Sequence, residues 1–594
     1  MQDFRPHAKD FNEAQTLWQQ AAKRALRGAD PDILVHKTID GLLRGPLMTC
    51  NDHDKNTGTP GEFPFVRGLA RQLDPNRPWD IRSEVWLDAP QACNSQILEE
   101  LTGGASSIQL QTGPEPVLGD ELGTILNGVE FNLAGIGISC NDGRPDTALA
   151  LRDLWMDMRV DPSQVHGDFG LQLSDNEGHN QSIIKLCHWA AQHAPNIRSL
   201  TIAPCYIHEA SGSEALELAW MCAQGAQYMR VLLETGLAAN KAADQMQSLF
   251  SMDADLHLGI AKLRAARRLW AKMLNSFGVD AGHCGLHIHG RSSRRMMSRL
   301  DPWVNILRTS TATLASVLGG AQTVSVLPFT HRLGAASDMA RRLARNTQLI
   351  LAEECFAGRV IDPAGGSHVH EAMSNQLAQA GWKIFQQIEA KNGLQNAREW
   401  LAGRVREMRE QRTQQIRTQK RVLIGVNAFA DLNEIAPKIA RTNQLTEENP
   451  YFFQYYDSTE FEQLRDIAKR LPATPTAFLA SIGTVASNSA RISFTRRFLA
   501  SGGIACSEAK NWQGNSAMLA DFDANFTPLV MICGTDEQYQ ENTDELVAMF
   551  KAKGAKQVWI AGATKNDAID GYIFAGCDMI AALKALLSCF RGRQ

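Results

Sequence analysis

Between residues 83 and 329 short apolar runs alternate with amphipathic helical stretches, and this alternation constrains the fold more than any other feature of the sequence. The candidate strands are 84–87, 107–111, 130–135, 169–173, 200–203, 285–289 and 323–327, with helical segments such as 214–236 and 257–277 between them. Strands separated by helices of this length pair in parallel, because each crossover must carry the chain back along the sheet. Seven such strands over about 250 residues point to a (β/α)8 TIM barrel with one strand still to be located, rather than to an open sheet.

From 335 to 417 the pattern turns helical, with long segments at 335–355, 370–390 and 394–420 and a Pro-Ala-Gly-Gly break at 363–366. A short β-like run at 423–429 follows. Residues 431–476 read as a polar linker with one helical piece at 458–471. Apolar runs at 477–483, 503–505, 529–533, 557–561 and 572–575 alternate with helical patterns at 490–500, 544–553 and 579–590. Five β–α units in this length predict a small doubly wound, flavodoxin-like domain. The α/β chain therefore divides into an arm and helix (1–30), a barrel with helical extension (31–430), a linker (431–476) and the C-terminal domain (477–594).

Composition narrows the classes of function. With 60 basic and 64 acidic side chains the net charge is −4, which gives no general attraction for nucleic acid. There is no apolar run long enough for a membrane span and no apolar core of a signal peptide in the first 26 residues, so a cytoplasmic chain is expected. The 12 cysteines are scattered without a C-x-x-C spacing and read as reduced thiols.

His287 and His289 stand two apart on a candidate strand, so both imidazoles point to one face, as in a metal-dependent hydrolase barrel. That reading needs a third ligand and a general base, for which His208 and Glu209 are available. His368 and His370 read as a solvated or capping pair, and the arginine-rich run 291–299 as a solvated charged loop. The pairs at 103–104, 319–320 and 365–366 are glycines without phosphate-loop spacing. Cys205, Cys284 and Ser487 sit in no nucleophile motif. The methionines at 221–229 and 246–252 read as ordinary helix positions.

Several blocks resemble the adenosylcobalamin-dependent acyl-CoA mutases of the methylmalonyl-CoA mutase family. They are PGEFPFVRG at 60–68, Arg77-Pro-Trp with Ile81-Arg82, AKLRAARRLW at 261–270, DPWVNILRT at 301–309, ARNTQLIL at 344–351 and RVIDPAGGS at 359–367. They occur in family order over about residues 30–430. The resemblance implies a barrel through which coenzyme A passes, a cobalamin domain behind it, and a radical 1,2-rearrangement of an acyl-CoA. It also implies where this chain departs. The family's cobalt-binding Asp-x-His-x-x-Gly falls on Val485, Ser487 and Ala490, and no histidine follows His370. The family tyrosine that wedges the substrate falls on Glu84, and its substrate-side histidine on Tyr206, or on His208 after a two-residue slip. One further family histidine is matched by His289. Matches at the frame and losses at the chemistry imply a degenerate chain such as the small subunit of heterodimeric members. On this reading the chain has no catalytic, cofactor-binding or metal-binding residues and takes no cofactor of its own. Adenosylcobalamin is expected in a catalytic large-subunit partner, and neither nucleic acid nor membrane is expected to bind. A mutase-like chain with its own acyl-CoA binding or activity, and the metal hydrolase, are the alternatives.

Overall fold

The structure is a computed structural model describing residues 11–53, 58–71, 74, 76–113, 115–139, 144–174, 176–437, 439, 451–483, 485–508, 515–564 and 566–590. Eight parallel strands close into a barrel: β1 (Asp80–Trp86), β2 (Ser107–Gln111), β3 (Gly135–Ser139), β4 (Gly167–Leu171), β5 (Ile197–Ile202), β6 (Met246–Met252), β7 (His287–Ser292) and β8 (Thr323–Ser325), with β8 pairing β1 through Ser325 opposite Arg82.

The strand absent from the sequence reading is β6, whose residues read as helix. Its inward positions Gln247, Leu249 and Ser251 mix polar and apolar residues rather than forming an apolar run, and Gln247 Nε2 donates to Thr201 Oγ1 at 3.0 Å inside the barrel. The third strand lies at Gly135–Ser139, not 130–135. Its Gly-Ile-Gly-Ile alternation looks like a turn, but glycine at 137 is a packing requirement. A Cβ there would sit 2.5 Å from both Arg82 Nη1 and Gln109 Oε1.

The barrel strands are wrapped by their crossover helices. A further helix, His368–Glu389, packs outside the helices Glu214–Glu234 and Leu256–Asn275. That second layer explains why Glu214–Glu234 is buried nearly all round. Close approach is built in at Gly381, where a Cβ would meet Leu218 Cβ at 2.9 Å, and at Gly225, where it would meet the Trp270 ring at 2.4 Å. Ser213 and Asp255 cap these two barrel helices by accepting from Leu216 N and Leu258 N.

The PAGG segment is an anchor at the N-terminal ends of the strands. Asp362, at φ 48°, takes ion pairs from Arg67 at 3.0 Å and from Arg264, and Arg264 also reaches Glu371 at 2.5 Å. Gly366 N donates to Glu371 at 3.0 Å. His370, read with His368 as a solvated or capping pair, is instead buried and its Nε2 lies 3.1 Å from His257 Nδ1, because the helix His368–Glu389 turns it inward.

The C-terminal unit is a five-stranded, all-parallel sheet of β9 (Thr476–Ser481), β10 (Ala505–Glu508), β11 (Leu529–Cys533), β12 (Gln557–Ala561) and β13 (Gly571–Ile573), in the order β10-β9-β11-β12-β13. Alternate residues feed two cores: Leu479, Met531 and Trp559 face Phe461 and Leu583, while Phe478, Ile532 and Ile560 face Phe522 and Phe550. Helices thus cover both faces. The helix Thr459–Lys469, read as part of a linker, belongs to the first of these cores through Phe461 and Leu464. Residues 451–458 lie against the barrel, with Tyr455 N donating to Glu209 O at 2.8 Å and Asp457 N to Arg295 O at 3.0 Å.

The indole of Trp270 is fully buried at the centre of the barrel's outer core. Trp270→Ala should lower stability by about 3–5 kcal/mol, read as a reduced urea midpoint at unchanged m-value.

Candidate functional site

A TIM barrel places its chemistry at the carboxyl ends of its strands, above an interior normally filled by branched apolar side chains. Here the interior is polar. Arg82, only 2% exposed, forms an ion pair with Asp168 across the lumen, and its Nε and Nη1 donate to Ser107 Oγ at 2.9 Å and Gln109 Oε1 at 3.0 Å. One layer up, Arg291 and Glu84 approach to 4.0 Å. His289 Nε2 lies 2.8 Å from Ser325 Oγ, and Gln172 Nε2 donates to the Tyr206 hydroxyl at 3.1 Å. Glu84, Asp168, Gln172, Tyr206, His289 and Arg291 line a cavity of only about 30 Å³. That is room for about one water molecule.

A larger space of about 720 Å³ opens beside the mouth, between the ends of β1 and β2 and the segment after β8, lined by Glu84, Trp86, Asp88, Glu115, His331 and Arg341. At the opposite end of the barrel a cavity of about 300 Å³ is bordered by Arg67, Arg77 and Arg267. Arg267 is buried and bonded to the carbonyls of Val66 and Gly320, and its guanidinium is lowered to about 9 by burial and by neighbouring Arg264.

Tyr206 and His208 part company. Both lie on the short helix Cys205–Glu209. Tyr206 borders the lumen, whereas His208 is turned into a buried network behind it. His208 Nδ1 is 2.8 Å from Glu217 Oε1, its Nε2 is 3.0 Å from Ser293 Oγ, and Lys262 Nζ reaches both Glu217 oxygens at 3.0 Å. Burial, with Arg295 and Lys262 nearby, holds the His208 imidazole well below its usual range, in the neutral form. Burial pushes the Glu217 carboxyl up to about 8, with Lys262 opposing. Among the described residues, His208, Glu214 and Glu217 form the group that could hold a metal, their ligand atoms within 4.8 Å of one another. Of these, Glu217 already has both its oxygens engaged by the Lys262 ammonium.

His287 and His289 do share the inner face of β7, as the sequence spacing predicts. They join no third ligand among the described residues, since His208 points elsewhere and Glu209 is engaged by Ser251 Oγ at 2.6 Å and by the backbone N–H of Arg295 at 2.7 Å. The arginine run is a correction to the sequence reading. Arg294 and Arg295 are buried, and Arg295 spans from His208 O at 2.8 Å to Asp253 at 2.8 Å. Arg299 pairs with Glu462 at 3.0 Å and Asp466 at 2.9 Å, and Arg332 reaches Glu462 at 2.9 Å while stacking 3.6 Å over Tyr456. The run joins the barrel to the C-terminal unit. Glu462 carries no motif, so only the charge content of the helix hinted at this role.

In the C-terminal unit, Val485 and Ser487 open the helix Val485–Ser501, with side chains outside the described residues, and Ala490 is exposed on its first turns. Asn488 is buried, and its Nδ2 donates to Ser481 Oγ at 3.1 Å and to the Ile482 carbonyl.

Residues 174–472 match the family described as methylmalonyl-CoA mutase. A Streptomyces virginiae protein named methylmalonyl-CoA mutase small subunit is 34% identical over 564 residues, spanning 92% of this chain and 91% of the relative. This chain belongs to the methylmalonyl-CoA mutase family. The small subunit named from Propionibacterium freudenreichii subsp. shermanii is 30% identical over 98% of this chain and 95% of its own length. The Escherichia coli methylmalonyl-CoA mutase is 27% identical over 72% of this chain and 67% of its own.

Adenosylcobalamin, which the family implies, calls for a donor to its cobalt. Cobalt takes an imidazole nitrogen well and a hydroxyl or methyl poorly. With no histidine after His370, this mutase-family chain has no such donor in its C-terminal unit, and its residues do not fit the group.

Two outcomes follow from the buried charges. Arg82→Ala strands the Asp168 carboxylate inside the barrel and should cost about 3–5 kcal/mol, read in urea unfolding. Burial and Arg198 hold His287 down to about 3, and burial and His257 hold His370 down to about 4. The unfolded chain takes up these protons near pH ~6.5, whereas the native chain refuses them until far lower. Stability is therefore complete above that pH and falls as pH drops, by about 1.4 kcal/mol per unit for His287. His287→Gln should flatten the decline measured between pH 7 and pH 4.5.

Proposed function

We propose that this chain is the non-catalytic small subunit of a heterodimeric methylmalonyl-CoA mutase. It scaffolds a cobalamin-bearing large subunit that interconverts methylmalonyl-CoA and succinyl-CoA in the cytoplasm. The observation that carries the reading is the filled lumen. Where the family passes coenzyme A along the barrel axis, the space that Glu84, Gln109, Asp168 and Arg291 line is about 30 Å³, and Arg82 is ion-paired with Asp168 beside it. A pantetheine arm needs far more space, and opening one would break a buried ion pair at a cost of several kcal/mol.

The strand order β10-β9-β11-β12-β13 supports a flavodoxin-like domain of the family's cobalamin-binding type that has lost its ligand function. The named relatives support the partner: each small subunit is so called against a larger one. The helix Phe11–Ala25 buries no residue fully among the described residues, although Phe11 and Trp18 stand two turns apart on one face. An amphipathic helix with no fully buried face of its own suits contact with a second chain.

Titration of the purified chain with adenosylcobalamin, followed by visible absorption, should give no histidine-ligated spectrum. In the assembled enzyme, Tyr206→Phe and His289→Gln should leave turnover per bound cobalamin within about twofold, because neither side chain would touch the transition state. A tenfold loss for either would make this barrel a participant in the reaction. Deleting residues 1–26 should weaken assembly with the large subunit, measured by sedimentation.

A further inference from the structure

The cavity of about 300 Å³ at the far end of the barrel lies where the starts of β1 and β8 meet the segment 357–363. It shares no lining residue with the space inside the lumen. Trp79 and Ile361 give it apolar walls, and Arg67, Arg77 and Arg267 bring three guanidinium groups to it. Val360, also on its wall, is 59% exposed, so the cavity reaches solvent. Its volume is at the lower end of the range that small-molecule sites occupy.

The three arginines are unequally matched. Arg77 is paired with Asp80 at 2.5 Å. Arg67 is paired with Asp362 at 3.0 Å, but Asp362 is shared with Arg264, whose other partner is Glu371 at 2.5 Å. Arg267, on the barrel helix Leu256–Asn275, is 1% exposed and forms no ion pair among the described residues. Its Nε and Nη2 donate to Val66 O at 3.3 and 3.0 Å, and its Nη1 donates to Gly320 O at 3.4 Å. A guanidinium has five N–H groups, so one on Nη1 and one on Nη2 meet no acceptor among the described residues. Burial and neighbouring Arg264 lower Arg267 to about 9, the direction expected of a cation short of counter-charge. Arg67, Arg264 and Arg267 thus face only Asp362 and Glu371, a surplus of one positive charge. The other acid on the cavity wall, Asp74, is exposed to solvent.

We infer that this cavity is a binding site for a small organic oxyanion, a carboxylate or phosphate with a short apolar body, received by Arg267. A cation taken out of water costs stability unless an anion is beside it, and here the chain supplies none. The two remaining N–H groups form the pair that a carboxylate or phosphate accepts with two oxygens. The apolar remainder of the ligand would lie against Trp79 and Ile361. The site is outside the lumen, so it stands whether or not this chain is a small subunit.

The test is equilibrium dialysis of the full-length chain against radiolabelled inorganic phosphate and, separately, butyrate, with chloride holding the ionic strength constant. At least one of the two should bind saturably at one molecule per chain, and which one does so assigns the anion as phosphate or carboxylate. Arg267→Met, which removes the receiving cation, should weaken that binding about tenfold or more. Val360→Glu alters an exposed side chain and brings a carboxylate to the cavity, and it should weaken binding to the same extent. Circular dichroism confirms that each variant is folded. Parent-like affinity in Val360→Glu would overturn the proposal even where Arg267→Met fails to fold. Absence of saturable binding of both probes to the parent chain would also overturn it, and would leave the small-subunit reading intact.

Discussion

Everything in the barrel is arranged around a buried guanidinium. Arg82 stands on the first strand, crosses the lumen to Asp168 on the fourth, and is completed by Ser107 and Gln109 on the second. A charge taken out of water is tolerated only when its donors are satisfied, so the surrounding positions are set by it. Glycine at 137 vacates the volume that the guanidinium occupies. Arg291 and Glu84 repeat the pattern one layer higher, and His289 closes it on Ser325. The cost is a core that contributes less hydrophobic stabilisation than aliphatic layers would. The outer layers compensate: Trp270, Phe250 and the doubly covered helix Glu214–Glu234 place the apolar weight outside the strands.

That inversion explains which parts were legible in the sequence. Helices were, because their apolar stripes face the outer core in the usual way; Glu214–Glu234, His368–Glu389 and Leu394–Arg417 lie within a few residues of the periodicity. Strands flanked by apolar residues, such as Ser107–Gln111 and Leu529–Cys533, were legible too. Met246–Met252 was not, since a strand whose inner face alternates Gln247, Leu249 and Ser251 does not look like the wall of a core. Gly135–Ser139 was displaced for the same reason, its glycines answering to Arg82 rather than to a turn. The arginines at 294, 295 and 299 were read by composition as solvated, because their partners Asp253, Glu462 and Asp466 lie 42 to 167 residues away.

The candidate site was legible at the level of residues and not of direction. Spacing alone left Tyr206 and His208 as alternatives. The turn of the helix Cys205–Glu209 sends them different ways, with the tyrosine at the lumen and the histidine beside Glu217 and Ser293. Likewise, two histidines on one strand face satisfied the geometry of a metal pair, but the third donor depends on where other strands end. Family frame and family chemistry are separable in this chain: the anchor of Asp362, Arg264 and Glu371 is complete, while the lumen it supports is filled.

The clamp of Arg299, Arg332 and Glu462 carries a mechanical implication. Two cations and a carboxylate that is 2% exposed tie the last barrel strands to the first helix of the C-terminal unit, and Tyr456 is sandwiched against the joint. Swinging the two units apart would strand that carboxylate without counter-charge, so the angle between them is fixed rather than hinged. In a pair built as proposed, this chain is the stationary half. Any gaping needed to admit a large cofactor must be performed by the other chain against a fixed neighbour, so two subunits of common ancestry would divide the work into one that moves and one that holds still.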